Sequence, residues 1–595
     1  MRLVTVTQES KQWKSKLFLN DFDYNHFELK TLCRHESFPE ILKGIHMKAK
    51  RFLTGFLFLA MSIAQPIPLS AGSPGQVNVG ETHQTLEGFG ASIAYYNNWV
   101  TAHPNKDQLY FYIFNELGLD ILRIANGYRN NPNNFDPNTA EIVAALYEYS
   151  DNIPKIMMSS WSPPANLKSN NSTQNGGTLK KENGEFVYGA FAQYWVDALN
   201  AYKAIGVVPD YISIQNEPGW VASWETCVLR ETQTSTEAGY PEALNAVYTA
   251  SQTLASPPKI LGPEVLGIGY NTFQNYAQRL NRDQLDGYAY HLYHGESDNV
   301  NDNHNPDLFI PNLSAIARTY QGKPIFQTEY DRGDWFKTVW LMHNALVYGN
   351  VSAYLYWGLI WDAQGGAPLV GLEFPWDRSR WQTAEGFVLN NVFYAFRQYA
   401  KFTNPGWKRV TAQTDSPNLR MSAFVSADGD SLTLVILNVG QAAEELSLNI
   451  DGFTIQKGEV IRTSETEKGE FIGGFDGASA LPIPVRSITT VVLEGESTTA
   501  VEMRMHNPEH YALAQNYPNP FNPSTKISYI LNSNGKVRLS VYDLTGREVT
   551  VLVDGVQNSG AHVAVFSGAG LASGVYFYKL QAAEQVITKK MALVR

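Results

Sequence analysis

"GAFAQYWVDALNAYKAIGVVPDYISIQNEPGW" (residues 189–220) carries two different periods side by side. In its first part Phe191, Tyr194, Trp195, Ala198, Leu199 and Tyr202 recur at i, i+3, i+4 spacing, which predicts a helix with one buried face. In its second part the apolar run Tyr211–Ile214 reads as a buried strand that stops at Gln215, Asn216, Glu217 and Pro218. Pro218 keeps the chain from continuing as strand. A helix feeding a short buried strand is half of a βα repeat.

Moving outward, the same alternation runs from about residue 84 to 400. The strand candidates are Thr85–Ser92, Asp120–Ala125, Lys155–Ser160, Tyr211–Glu217, Lys259–Pro263, Gly287–Tyr293, Pro324–Glu329 and Ala353–Leu359. Longer helical stretches lie between them. Eight such units predict an α/β fold, a (β/α)8 TIM barrel over residues 76–400. A doubly wound open sheet is the alternative. However, the first strand leads into "EGFGAS" (87–92), which is not GxGxxG, and nothing matches a P-loop.

After residue 400 the period becomes two. "RMSAFVSADGDSLTLVILNVG" (420–440) and "SITTVVLEG" (487–495) alternate, with a turn at Asp428–Gly429, and predict a side β-sandwich over 401–495. The strand-like "QVNV" (76–79) opens a segment, 76–84, placed to join that sandwich from the other end of the chain. A polar linker (496–510) without period follows, then a Pro/Asn cluster at 516–523 and six or seven short alternating strands. Residues 511–595 therefore read as a separate small C-terminal β-sandwich.

The N-terminal region reads differently. "MKAKRFLTGFLFLAMSIAQ" (47–65) has a basic start, an apolar run from Phe52 to Ile63, and a small-x-small end at Ser62–Ala64. That is the pattern of a signal peptide over 47–64, with translation starting at Met47 and residues 1–46 a spurious leader. A buried helix of an N-terminal domain is the alternative. The apolar run is shorter than the roughly 20 residues a membrane span requires, and no stable span is expected.

Acidic residues outnumber basic ones, 57 to 46, for a net charge of −11, and no basic cluster suggests a nucleic-acid partner. Of the two cysteines, Cys33 falls in the leader. Cys227 then stands alone, with no disulfide framework and no cysteine-based metal site. His291 and His294 in "HLYH" lack a third ligand at a usual spacing, and the oxygen-rich loop 296–307 lacks an EF-hand pattern. No GxSxG is present. No metal and no cofactor are expected.

In a barrel, side chains at the C-terminal strand ends face the active site. Those ends carry Arg123 (second strand), Trp161 (third), Asn216 and Glu217 (fourth), Glu264 (fifth), His291 and Tyr293 (sixth), Glu329 (seventh) and Trp357 (eighth). Taken singly, a strand-end Glu is ordinarily a solvated loop residue, a Trp is core, and a His is structural. Taken together, Glu217 and Glu329 are two carboxylates nearly opposite each other across a barrel mouth. Glycoside hydrolysis needs such a pair, one to protonate the leaving oxygen and one to attack carbon or activate water. The acid should have a raised pKa and the nucleophile should stay ionised. Arg123 beside Glu329 would hold that carboxylate charged. Asn216 is suited to bind a sugar hydroxyl, Trp161 and Trp357 to stack on sugar faces, and Glu264, with His291 and Tyr293, to contact substrate.

The set "LEGFGAS" (86–92), "LGLDILRIANGYRNN" (117–131), "SSWSPPANLK" (159–168), "YISIQNEPGW" (211–220), "HLY" (291–293) and "QTEY" (327–330) resembles glycoside hydrolase family 30. The resemblance covers residues 76–495. It implies a barrel with a side sandwich built from both chain ends, and a retaining double displacement. Glu217 would be the acid/base and Glu329 the nucleophile, with carboxyls roughly 5–5.5 Å apart. The motifs are most similar to the xylanase branch, and endo-β-1,4-xylan hydrolysis is the first expectation. Glucuronoxylan-specific members carry an arginine just after strand eight. Here that stretch, "YWGLIWDAQGG" (356–366), has no basic residue, and Arg378 and Arg380 lie further on. A β-1,6-glucan or another β-glycan is the alternative substrate, and a non-catalytic carbohydrate-binding surface protein or an adhesin the alternative of another class.

Finally, "NYPNPFNPST" (516–525), "VYDLTGREV" (541–549), "SGVYFYKL" (573–580) and "KKMALV" (589–594) resemble the C-terminal sorting domain of the type IX secretion system. That implies the type IX machinery as a partner, a secreted or cell-surface location, and no part in catalysis.

Overall fold

The computed structural model describes residues 72–129, 137–294, 305–331, 333–498 and most of 511–593. The expected leader, the signal peptide, linker residues 499–510, Gly295 and residues 296–304 of the oxygen-rich loop lie outside the described residues.

Eight parallel strands close into a barrel: Gly88–Ser92, Ile121–Ala125, Lys155–Ser159, Tyr211–Ser213, Lys259–Val265, Gly287–His291, Ile325–Glu329 and Val351–Tyr356. Each hydrogen-bonds its sequence neighbour, and the eighth pairs with the first. The barrel is filled, not hollow. Ile121, Met157, Tyr211, Leu261, Ala289, Phe326, Ala353 and Leu355 form one inner cluster, with small alanines set among larger rings. Because strand side chains alternate faces, a residue two further on points the same way. Arg123, Ser159, Ser213 and His291 each stand two residues beyond a member of that cluster. The inner layer thus turns from apolar to polar at the C-terminal ends.

The helix Tyr188–Ala204 buries Phe191, Tyr194, Trp195, Ala198, Leu199 and Tyr202, the face its period predicts. The fourth strand is shorter than its apolar run suggests. Regular pairing ends at Ser213, and the amides of Asn216 and Glu217 bond to the carbonyls of Ser160 (2.7 Å) and Glu264 (3.0 Å). Glu217 itself has φ 46°, a left-handed conformation that breaks the strand. The fifth strand instead runs two residues beyond its expected end at Pro263, and so contains Glu264. The sixth stops at His291, leaving Tyr293 just past its end.

The strand Ser73–Thr85 does not belong to the barrel. It pairs antiparallel with Lys408–Thr414 and parallel with Glu444–Asp451, inside one nine-stranded sheet. That sheet has its own apolar core, including Val77, Leu434, Ile436 and Val491. It meets the last barrel helix, Asn391–Ala400, through polar contacts such as Gln398 Nε2 donating to Thr463 Oγ1 (2.7 Å). The C-terminal region holds seven described strands in sheets of three and four, around a third core that includes Phe521, Tyr529, Leu539 and Tyr578. One element has no counterpart in the sequence reading. The segment after strand eight forms a three-stranded sheet of Ile360–Asp362, Val370–Leu372 and Phe387–Leu389. No described helix is long and apolar enough to cross a membrane.

Candidate active site

Arg123 is the hub. It has no solvent exposure, and a guanidinium so buried must be paired on every side. Its Nη1 donates to Glu329 Oε2 (2.7 Å), its Nη2 to Asn216 Oδ1 (2.6 Å), and its Nε to Ser159 Oγ (3.2 Å). Nη2 also lies 3.0 Å from Glu264 Oε1. The Trp161 ring covers the guanidinium at 4.6 Å and Trp357 lies at 5.8 Å. The planar fork of arginine suits this many-sided role; a lysine ammonium does not.

Two carboxylates stand at the mouth. Glu329 ends strand seven, and Glu217 follows strand four in its left-handed conformation. His291 Nδ1 lies 3.0 Å from Glu217 Oε1, and its Nε2 lies 3.8 Å from both Glu264 and Glu329. One oxygen of Glu217, one of Glu329 and a His291 nitrogen all fall within 4.8 Å of one another. Three such donors have the count of a metal site. Yet Arg123 already donates to Glu329, and a protonated His291 adds a second positive charge, so a cation would meet repulsion.

The charges are strongly coupled. Burial disfavours the imidazolium of His291, but Glu329, Glu217 and Glu264 together push its pKa up to about 9. Burial likewise opposes ionisation of Glu264, and Arg123 and His291 overcome it, pulling that carboxyl down to about 2. Glu329 goes the other way. Burial raises it and Glu217 adds to the rise, outweighing the pull of His291 and Arg123. The expectation that Arg123 keeps this carboxyl low is therefore met in sign of interaction but not in net direction, because desolvation is the larger effect. Tyr293, whose hydroxyl hydrogen-bonds Glu329, stays a neutral donor, its pKa raised well above the ordinary value by burial and the neighbouring carboxylates.

Against this geometry, residues 138–235 match the family model "Glycosyl hydrolase family 30 TIM-barrel domain", and residues 515–594 match "Secretion system C-terminal sorting domain". The chain thus carries a segment similar to the family 30 glycosyl hydrolase barrel. It is an O-glycosyl hydrolase with a type IX export signal at its C-terminus. This hydrolase is 22% identical to a glucuronoxylanase of Bacillus subtilis over 72% of its own chain and 93% of the relative. It is 25% identical to an endo-1,6-beta-D-glucanase of Aspergillus fumigatus, over 58% of its own chain and 77% of the relative. Its fold is similar to the family 30 subfamily 8 xylanase of Clostridium acetobutylicum, with a TM-score of 0.54 and 24% identity, covering 71% of the hydrolase and 99% of that chain.

The nine side chains singled out at strand ends of the hydrolase converge, but on different levels. Glu217 and Glu329 reach the mouth. Trp357 and Tyr293 are half-buried beside it. Glu264 and His291 have no exposure and lie beneath, so contact with substrate is not what their positions favour. Glu264 Oε1 accepts from Ser159 (3.1 Å) and pairs with Arg123, anchoring the cations from below. Asn216 is almost fully buried and its Oδ1 is taken by Arg123. Trp161 is buried with its face on the guanidinium. Arg378 and Arg380 are engaged elsewhere, Arg378 Nη2 with the Ala102 carbonyl (2.7 Å) and Arg380 over the Phe374 ring (3.7 Å).

Several residues of the site were not singled out. Tyr95 packs on Trp161 (5.6 Å) and Trp357 (6.4 Å), and its hydroxyl donates to Glu225 (3.4 Å), which Arg129 also pairs (2.6 Å). Gln215 Nε2 holds the Trp161 carbonyl (2.8 Å). Tyr95 follows the first strand closely enough for the strand-end rule to have found it; Glu225 lies inside a long loop with no local signal.

Proposed function

We propose that the chain is an exported, retaining β-glycan hydrolase in which Glu329 is the nucleophile and Glu217 the acid/base. The observation that carries this is the pairing of Glu217 and Glu329, in which one oxygen of each carboxylate lies within 4.8 Å of the other. A retaining pair stands about 5–5.5 Å apart, whereas an inverting pair leaves about 6.5–9.5 Å for water. Glu329 is assigned as the attacking group because the Arg123 fork donates directly to it, offsetting part of the rise that burial imposes on its carboxyl. It forms the glycosyl–oxygen bond while Glu217 gives its proton to the departing oxygen. Glu217 then takes a proton from water, whose oxygen attacks the same carbon and frees Glu329. The cluster of Glu217, Glu264 and Glu329 against Arg123 and His291 has one carboxylate more than cations. One proton on the Glu217/Glu329 pair balances it, as this cycle requires.

The favoured substrate is xylan, by likeness to the glucuronoxylanase over most of its length. A β-1,6-glucan is the second reading, favoured by the likeness to the endo-1,6-glucanase. Product analysis on linear xylan, glucuronoxylan, arabinoxylan and β-1,6-glucan decides between them, with NMR of the first-formed anomer. A β anomer is expected. An α anomer, or unchanged reducing-sugar release by Glu329→Gln, overturns the assignment.

A further inference from the structure

The three-stranded insertion after strand eight and the segment after strand one share an unusual surface. From Tyr95, in contact with Trp357 at the site, the chain passes to Tyr96, whose ring stacks on Trp99 at 4.2 Å. Trp361 of the insertion lies 5.0 Å from Tyr96 and 5.9 Å from Trp99. Trp376, also of the insertion, lies 6.1 Å from Trp99 and is 62% exposed, a high value for so apolar a side chain. Tyr96 and Trp361 are exposed too.

The two segments are braced against each other. Arg378 Nη2 donates to the Ala102 carbonyl, Asn105 Nδ2 to the Glu385 carbonyl (2.8 Å), and His103 stacks on Trp381 at 4.8 Å. These contacts hold the rings in fixed relation, so a ligand would meet a surface already in place. The insertion (357–390) carries four carboxylates, Asp362, Glu373, Asp377 and Glu385, against two arginines. Both arginines are tied to protein partners. That charge balance disfavours uronate groups and anionic lipid, while flat rings suit the apolar faces of neutral sugars.

Resting on the hydrolase reading above, we propose that Tyr96, Trp99, Trp361 and Trp376 form a distal subsite that takes the continuing chain of a neutral, undecorated β-glycan. The subsite makes catalysis depend on chain length.

The test compares kcat/KM on a linear hexasaccharide with that on the matching p-nitrophenyl disaccharide, for the full chain and for Trp361→Ala and Trp376→Ala. Xylohexaose and a β-1,6-linked glucose hexamer are run in parallel, and the ratio is read on whichever is cleaved. Each substitution should lower the ratio by about tenfold, and Trp376→Tyr should restore most of it. An unchanged ratio overturns the proposal. So does loss of binding to phosphatidylcholine vesicles with no change in the ratio, which would make the patch a membrane contact. Failure of the parent chain to cleave either hexamer or any β-glycan instead sinks the hydrolase reading on which the subsite rests.

Discussion

Arg123 donates to Glu329 at 2.7 Å from a position with no access to solvent, across 206 residues of chain. The same guanidinium also serves Asn216, Ser159 and Glu264. Removing it leaves buried carboxylates without a counter-charge. Arg123→Met should therefore lower the unfolding free energy by about 3–5 kcal/mol, read from urea denaturation. Arg123→Lys keeps the charge but not the fork. It should lose less stability, yet lower kcat by up to about 10²-fold through misplacement of Glu329. Equal kcat in Arg123→Lys and the parent would show that the fork is not needed.

On the proposed assignment, Glu217→Gln removes the proton donor but keeps the shape. Hydrolysis of an unactivated glycan should fall by about 10²–10⁴-fold. An aryl glycoside whose leaving group needs no proton should suffer much less in its first step. Steady-state rates on xylan oligosaccharides and dinitrophenyl glycosides check this; equal losses on both would argue against an acid role.

The pH dependence of stability has a definite sign. Folding raises His291 from an ordinary 6.5 to about 9, so its contribution is full below pH 6.5 and is lost as pH climbs through about 9. Glu264, held at about 2, contributes fully above pH 4.5 and loses that contribution as pH falls towards 2. The raised carboxyl of Glu329 adds a separate loss that begins as pH rises above 4.5. Urea midpoints should thus decline between pH 6.5 and 9. In His291→Gln that upper decline should flatten, while the acid-side loss remains. A parental midpoint that is flat from pH 6.5 to 9 would contradict a charged His291.

The C-terminal strands pack around a core of their own. Deleting residues 508–595 should leave kcat/KM on soluble oligosaccharides within about twofold while abolishing export through the type IX route. Activity of cell lysate against culture medium measures both. Export that survives the deletion would show that the sorting signal lies elsewhere.

Much of this was readable residue by residue. The helix face from Phe191 to Tyr202 follows from the 3.6 period alone, and the eight strands from short apolar runs. Such patterns are local, so neighbours in sequence suffice. The strand-end rule also found Arg123, Glu217 and Glu329, because barrel geometry sends those ends to one face. It could not rank them by depth. Glu264 looked like a third substrate contact, yet a continued fifth strand and its left-handed φ of 56° put it beneath the site.

The one-dimensional pattern thus determined the barrel, the two-ended side sheet, and the set of side chains available for chemistry, since periodicity and strand ends are properties of short segments. Only the closed tertiary structure decided how those side chains share charge. It spent Arg378 and Arg380 on protein contacts and set Trp361 and Trp376 beside Tyr96 and Trp99. Apart from Arg380 on Phe374, these contacts join segments hundreds of residues apart. Barrel closure and desolvation fix their distances and pKa values, and neither is encoded in any local stretch.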